Sequence, residues 1–479
     1  MKSKIESILN NPNNDKNRKA FMSQLIGRQI HESNKIDTLL NDLVKEVTDL
    51  NKTITGPKAA HPEHAENGKS WIDRTGKVRG RPLHYPYVGT GAGNGPFVEL
   101  EDGSVKLDLI NGIGIHLMGH AHPRVMKAAV RGALSDIVNQ GNLQPNREYT
   151  ILLEKITALA AKRSRLKYGW LSTCGTMANE SALKISRQKH SPARMVLSFK
   201  NAFSGRSTMM AELTDNPAYK SGLPEYHEIL RIPFYDKKDP QSGEKTLRLM
   251  KEFAAKHEKN ISTFCFEPML GEGGYQAAPR EFFLPLLEFC KTQKISIWAD
   301  EVQTFSRTGE MFAFETLDIG QYIDLCTIAK TAQVGVTLYT EEYNPAPGLI
   351  AGTFSGSSVA LSSGIEIIDM LQEGYLGPQG RIMQIHRKFI SALSQLNETS
   401  CKGKVTDAGG MGLMIAFTPF EGKKDQVDSL LKRFMANGLI GFNCGKDPIR
   451  IRLLVPAIIK DEEIDLAIKI IEKSILEGV

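Results

Sequence analysis

Ile297-Trp298-Ala299-Asp300-Glu301-Val302-Gln303 and Ile323-Asp324-Leu325-Cys326-Thr327-Ile328-Ala329-Lys330 are two apolar runs, each interrupted at its end by an ionisable residue. A buried strand has this pattern where it delivers one side chain into a cleft at the carboxyl edge of a parallel sheet. Around this pair, from about residue 125 onward, helical patterns alternate with short apolar runs. Residues 168–171, 195–199, 263–266, 296–299 and 325–328 read as strands, and 178–188 and 281–292 as crossover helices. Such alternation implies an α/β fold around a mostly parallel central sheet.

The chain of 479 residues is too long for one hydrophobic core, so two or three domains are expected. Residues 1–56 read as a helical extension, with Ile36, Leu39, Leu40, Leu43, Val44, Val47 and Leu50 at helical spacing. The heptads do not persist, which favours a packing helix over a coiled coil. Residues 57–118 form the N-terminal part of a small domain, loop-like through about residue 96. Residues 119–371 form the large domain. Residues 372–479 complete a smaller α+β domain, with a helix at 380–396, strands near 412–417 and 449–454, and a final helix from Asp461. The glycine-rich stretch from Gly89 to Gly95 fails the GxGxxG pattern at Asn94. It leads instead into a run at 97–100 and a hairpin turn at 101–104.

Hydrophobic residues make up 41% and charged residues 24%, ordinary for a globular protein. The net charge of +6 comes with no dense Lys/Arg block carrying interleaved aromatics, so no nucleic-acid partner is expected. The six cysteines are scattered without CxxC or zinc spacing, and most lie in apolar surroundings. No metal is expected. The segment Gly119-His120-Ala121-His122-Pro123 reads as a turn with helix N-terminal capping rather than a metal site. No signal-type apolar segment opens the chain, and no apolar run approaches the roughly 20 residues of a membrane span. A cytoplasmic protein without a membrane partner is the expectation.

Taken singly, Asp300 could cap a helix and Lys330 could reach solvent. Together they suggest pyridoxal 5′-phosphate, which needs an amine for its aldehyde, an anion at its pyridine nitrogen, a phosphate cup and walls for its ring. Lys330 is the candidate amine and Asp300 the candidate anion. Leu171-Ser172-Thr173-Cys174-Gly175-Thr176-Met177-Ala178-Asn179-Glu180 offers the cup. There a strand ends, Gly175 permits close backbone approach and Thr176 opens a helix whose free N–H groups suit phosphate. Phe203 could stack on one ring face, although alone it reads equally as core. Val302 could pack the other face, and Gln303 could donate to the ring hydroxyl oxygen.

Five ordered motifs resemble the class III (ω-amino acid) aminotransferases: 174–180; Asn201-Ala202-Phe203-Ser204-Gly205-Arg206; 267–274, beginning Glu267-Pro268; 300–304 with Arg307-Thr308-Gly309; and Lys330. Leu107-Asp108-Leu109-Ile110-Asn111-Gly112 with 119–123 resembles that family's N-terminal segment. The resemblance spans about residue 97 to the C-terminus. It implies a fold-type-I transferase, usually a homodimer with active sites shared at the subunit interface. In that likeness Lys330 holds the cofactor and Asp300 pairs with its ring nitrogen. Val302 and Phe203 sandwich the ring, Gln303 meets the hydroxyl, and Gly175 and Thr176 hold phosphate. Thr353 contributes a phosphate contact from the neighbouring subunit. Arg452 matches the arginine that grips a substrate α-carboxylate, and Glu272 the glutamate that covers it in one half-reaction. As a residue, Glu272 also reads as a plain loop carboxylate.

The chain departs from the family pattern at four places. Ser204 replaces a histidine, Leu270 replaces a glutamine, and the turn 304–307 is one residue short. Lys330 is followed by Thr331-Ala332-Gln333-Val334-Gly335, closer to the lysine 6-aminotransferase and 4-aminobutyrate branch. The implied function is transamination from an ω-amino acid or diamine-type donor to a 2-oxo acid, with 2-oxoglutarate expected. An aminomutase, epimerase or decarboxylase on the same fold, or a silent cofactor-binding relative, are the alternatives.

Overall fold

The structure is a computed structural model and describes residues 25–136, 138, 141 and 143–478. Three strands open the main body: β1 (Gly89–Asn94), β2 (Phe97–Leu100) and β3 (Val105–Asp108), an antiparallel meander. The turn at 101–104 joins β2 to β3, as the hairpin reading expects, whereas the glycine-rich stretch, read as loop-like, is the edge strand β1.

A seven-stranded sheet follows, built from β4 (Tyr168–Ser172), β5 (Met195–Phe199), β6 (Ile229–Ile232), β7 (Ile261–Phe266), β10 (Ser296–Asp300), β11 (Leu325–Ile328) and β12 (Gly335–Tyr339). Its order is β4-β12-β11-β10-β7-β5-β6. Neighbours are parallel except β12, which runs antiparallel to both β11 and β4. Every residue of β5, β7, β10, β11 and β12 is buried, the signature of strands covered on both faces. One covering helix, Arg280–Thr292, buries Phe282, Phe283, Leu286, Leu287 and Cys290, an i, i+4, i+8 stripe. Between β7 and β10 the chain forms a two-stranded hairpin, β8 (Met269–Leu270) with β9 (Gln276–Ala277).

The C-terminal part builds β13 (Val405–Met411), β14 (Met414–Pro419), β15 (Leu439–Ile440), β16 (Phe442–Cys444) and β17 (Arg450–Leu454). One sheet has the order β13-β14-β17-β16, while β15 joins β3 in parallel and completes the N-terminal sheet. The helix Asp461–Leu476 ends the chain's last folded element.

Several elements differ from expectation. Residues 62–79 are helical rather than loop-like: Pro62 stands in the first turn, His61 caps it through its ring, and Gly80 closes it at φ +69°. Few apolar residues mark that helix, and Gly68 and Gly76 lie inside it. Strands β6 and β12 were also not anticipated. In the extension, helix Asn34–Asn51 forms as expected but buries only Leu40 among its apolar positions. The extension's first 24 residues lie outside the described ones. His122 sits at the N-cap of helix Pro123–Gly132 without capping it through its side chain. No helix among the described residues is long and apolar enough to cross a membrane, and none of their His/Cys/Asp/Glu form a metal-type cluster.

Candidate functional site

Asp300 is the last residue of β10, and Lys330 follows β11 by two residues. The two strands are parallel neighbours, with Asp300 opposite Thr327, so both side chains arrive at one carboxyl edge. Strand β7 beside them delivers Glu267 to the same edge. These residues line a cavity of about 320 Å³ together with Gly175, Thr176, Phe203 and Gln303. Val302 and Glu272 also face it.

Strand alternation separates two adjacent carboxylates. Asp300 faces the cavity, whereas Glu301 turns away and accepts from the Ala313 and Phe314 N–H groups at 2.6 and 2.9 Å. Asp300 is 4% exposed, accepting from Asn179 Nδ2 at 2.8 Å and the Val302 N–H at 3.1 Å. Burial raises its pKa to about 6, against the pull of these donors, of Lys330 and of the Ser204 hydroxyl. Ser204, standing for the usual histidine, therefore still supports Asp300. Asn179 also donates to the Ser204 carbonyl at 2.7 Å, which ties the Phe203 loop to the acid.

Lys330 adopts φ +50°, a left-handed backbone that opens a short turn. Gln333 closes the turn by donating to the carbonyls of Lys330 and Ile115 at 3.1 and 3.2 Å. Burial, followed by the charge of Arg307, lowers the Lys330 amine to about 8. Arg307 is 1% exposed and has no carboxylate partner among the described residues, its guanidinium donating to the carbonyls of Gln303 at 2.9 Å, Phe305 and Gly114. The shortened turn thus closes on its own arginine. A buried cation held only by carbonyls also keeps a strong field on Lys330.

Glu272, on the cavity wall, meets Arg452 Nη1 through its Oε1 at 2.7 Å. Arg452 is 1% exposed, with its guanidinium 4.8 Å from the Phe442 ring centre and 5.8 Å from that of Tyr275. Two of the sequence-expected site residues do not line this cavity: Arg452, which reaches it through Glu272, and Thr353, which is exposed on its own chain. Asn179, Glu267 and Arg307 hold the site together, although no role was assigned to them from sequence. Glu267 carried the same signal as Asp300, an apolar strand halted by an acid.

Residues 81–475 match the family Aminotransferase class-III. The chain belongs to this family. Members depend on pyridoxal 5′-phosphate, so this class III aminotransferase is a pyridoxal-phosphate enzyme of the fold-type-I architecture. It is 30% identical over 414 residues to the 5-aminovalerate aminotransferase of Pseudomonas putida, covering 82% of this chain and 94% of that one. It is likewise 28% identical over 423 residues to the acetylornithine aminotransferase of Methanocaldococcus jannaschii, covering 85% and 98%. Among solved structures, lysine aminotransferase from M. tuberculosis superposes with a TM-score of 0.73 at 22% identity, covering 84% and 98%.

The residues of this aminotransferase fit the cofactor. Helix Gly175–Lys189 opens on the cavity without a side-chain cap, which leaves its first N–H groups for an anion. A Cβ on Gly175 would lie 2.6 Å from Val302 Cγ1, so the cup needs glycine there. The amide oxygens of Asn179 and Gln303 are buried at the cavity wall without a partner among the described residues.

Proposed function

We propose that this aminotransferase moves the amino group of an ω-amino acid or diamine-type donor to 2-oxoglutarate. The Glu272–Arg452 pair beside Lys330 carries this reading, because it gives one arginine two states. Paired, Arg452 is neutralised while a terminal amine reacts. Uncovered, its guanidinium is free to grip an α-carboxylate bidentately. The 4-aminobutyrate and 5-aminovalerate aminotransferases among its relatives support the donor class.

Bound pyridoxal phosphate would supply an aldehyde for the amine and an electron sink for the bond broken beside the nitrogen. Lys330 would hold the aldehyde, then take and return the proton at the donor carbon. Its lowered pKa keeps a usable neutral fraction near pH 7, and such positioned acid–base catalysis contributes roughly 10²–10⁴-fold. Asp300 would keep the pyridine nitrogen protonated, with Asn179 and the Val302 N–H holding its carboxylate on line. Gly175 and Thr176 would bind phosphate, Phe203 and Val302 would clasp the ring, and Gln303 would meet its hydroxyl.

The working unit is a homodimer, in which Thr353 completes the partner's phosphate cup. Exposed Ile113, Ile115, Met177 and Phe354 support an interface of this kind, Ile115 also lining the cavity. Six free cysteines, five of them buried, support a reducing cytoplasmic setting.

A panel of ω-amines with 2-oxoglutarate, read by glutamate formation, tests the proposal. No glutamate from any donor, with cofactor bound, would overturn it. A donor alone converting bound cofactor stoichiometrically to pyridoxamine phosphate separates transamination from isomerisation or decarboxylation.

A further inference from the structure

The carboxylate of Glu272 sits in the loop of the β8–β9 hairpin, residues 271–275, and that loop is fastened along its length. At its start, the Gly271 N–H donates to Glu267 Oε2 at 3.0 Å. The other oxygen of Glu267 accepts from the Phe203 N–H, also at 3.0 Å. In the middle, the Glu272 carbonyl accepts from the Gly445 N–H at 2.8 Å. At its end, Arg450 Nη1 donates to the Gly274 carbonyl at 2.6 Å and the Tyr275 carbonyl at 3.4 Å. A Cβ on Gly273 would stand 2.7 Å from the Asn201 carbonyl oxygen, so the loop also abuts a second backbone segment.

Glu267 and Arg450 are each 6% exposed, whereas the Glu272 side chain is 31% exposed. Arg450 and Arg452 lie two residues apart on β17 and so leave the same face of the strand. The first binds the backbone of the loop, the second its charge. Arg450 is itself braced by the Ala416 carbonyl at 3.2 Å and by Asp407 Oδ2 at 3.5 Å.

We infer that Glu267 and Arg450 are positioning residues that clamp both ends of the 271–275 loop, so that the gate operates by rotation of the Glu272 side chain alone. The inference rests on the gate reading of Glu272 and Arg452. Holding the loop backbone where Glu272 reaches Arg452 preorganises that contact, so the clamps favour covering. Releasing either one weakens the hold of Glu272 on Arg452 and leaves the guanidinium more open to a dicarboxylate.

Calorimetric binding of glutarate to the holoenzyme reads this directly, without turnover. Glu272→Ala should tighten binding on the order of tenfold, the scale of one charge-assisted hydrogen bond. Arg450→Met should tighten it in the same direction, and Arg450→Lys, which keeps a donor for the Gly274 carbonyl, should return it toward the wild-type value. The double variant Glu272→Ala/Arg450→Met should bind no tighter than Glu272→Ala alone, since both act through one group. If Arg450→Met gives no folded holoenzyme, Glu267→Gln carries the same expectation from the other end of the loop. Tightening by Glu272→Ala without tightening by the clamp variants, or additive effects in the double variant, overturns the clamp. No tightening by Glu272→Ala overturns the gate itself.

Discussion

Replacing Lys330 by methionine should abolish amino transfer and yet make the cofactor-free protein more stable at neutral pH. The folded protein holds this amine at about 8 against 10.5 when unfolded, through burial first and the Arg307 charge second. Between those values the unfolded chain binds a proton that the folded chain has lost, so this group makes stability rise with pH. Near pH 7 both states are largely protonated, and the folded one carries the whole penalty of a charged amine in a buried place. The difference between 10.5 and about 8, at about 1.4 kcal/mol per pH unit, corresponds to about 3 kcal/mol. That figure is a ceiling, because Asp300 also loses the favourable charge of Lys330. Methionine fills a similar volume without the charge. Urea unfolding of the two cofactor-free proteins measures the gap, which should shrink to about half between roughly pH 7 and pH 9.5. A Lys330→Met protein no more stable than wild type at neutral pH, or a gap that does not shrink, would refute the reasoning.

Arg307→Met removes the buried cation next to Lys330, so the pH midpoint for acetic-anhydride labelling of Lys330 in the cofactor-free protein should move up from about 8; an unmoved midpoint removes Arg307 from the explanation. Glu267 is raised from 4.5 to about 8 by burial and the Asp300 charge, so its stabilising contribution is complete below 4.5 and lost as pH rises through about 8. Glu267→Gln should therefore flatten the decline of melting temperature across that window, and an unchanged slope would sink the assignment. Gly412 has φ +55°, and a Cβ there would lie 1.9 Å from the Arg307 carbonyl oxygen. Gly412→Ala should then cost on the order of 3 kcal/mol or more, and a melting temperature equal to wild type would contradict that geometry.

Asp300 and Lys330 were legible because a fully buried strand writes itself as an uninterrupted apolar run, and any charge at its end must have a destination. The same rule marks Glu267 after β7, where it was not applied. Roles for Val302, Phe203 and Gln303 stood open on the residues alone, since each suits an ordinary core, and only motif resemblance favoured them. The helix Pro62–Arg79 was hidden by its sparse apolar positions and internal glycines, and β12 by its start straight after the Lys330 turn. The contacts of Arg307 with Gly114 and of Arg450 with Gly274 join residues 193 and 176 apart. No local pattern encodes a hydrogen bond to a carbonyl so far along the chain.

The parallel pairing of β15 with β3 sets an order on synthesis. Leu107 and Asp108 wait for Leu439 and Ile440, so the meander emerges from the ribosome with one edge unpaired while the whole central sheet is made. The segment that covers this edge is followed, after β16, by β17, which brings Arg452. The nascent chain can therefore assemble the floor of the cofactor cavity early, but it protects its open edge and acquires its carboxylate grip only in the same late stretch. A chain interrupted before residue 439 keeps both defects together: a strand edge that recruits other chains, and a cavity whose Glu272 has no arginine to meet.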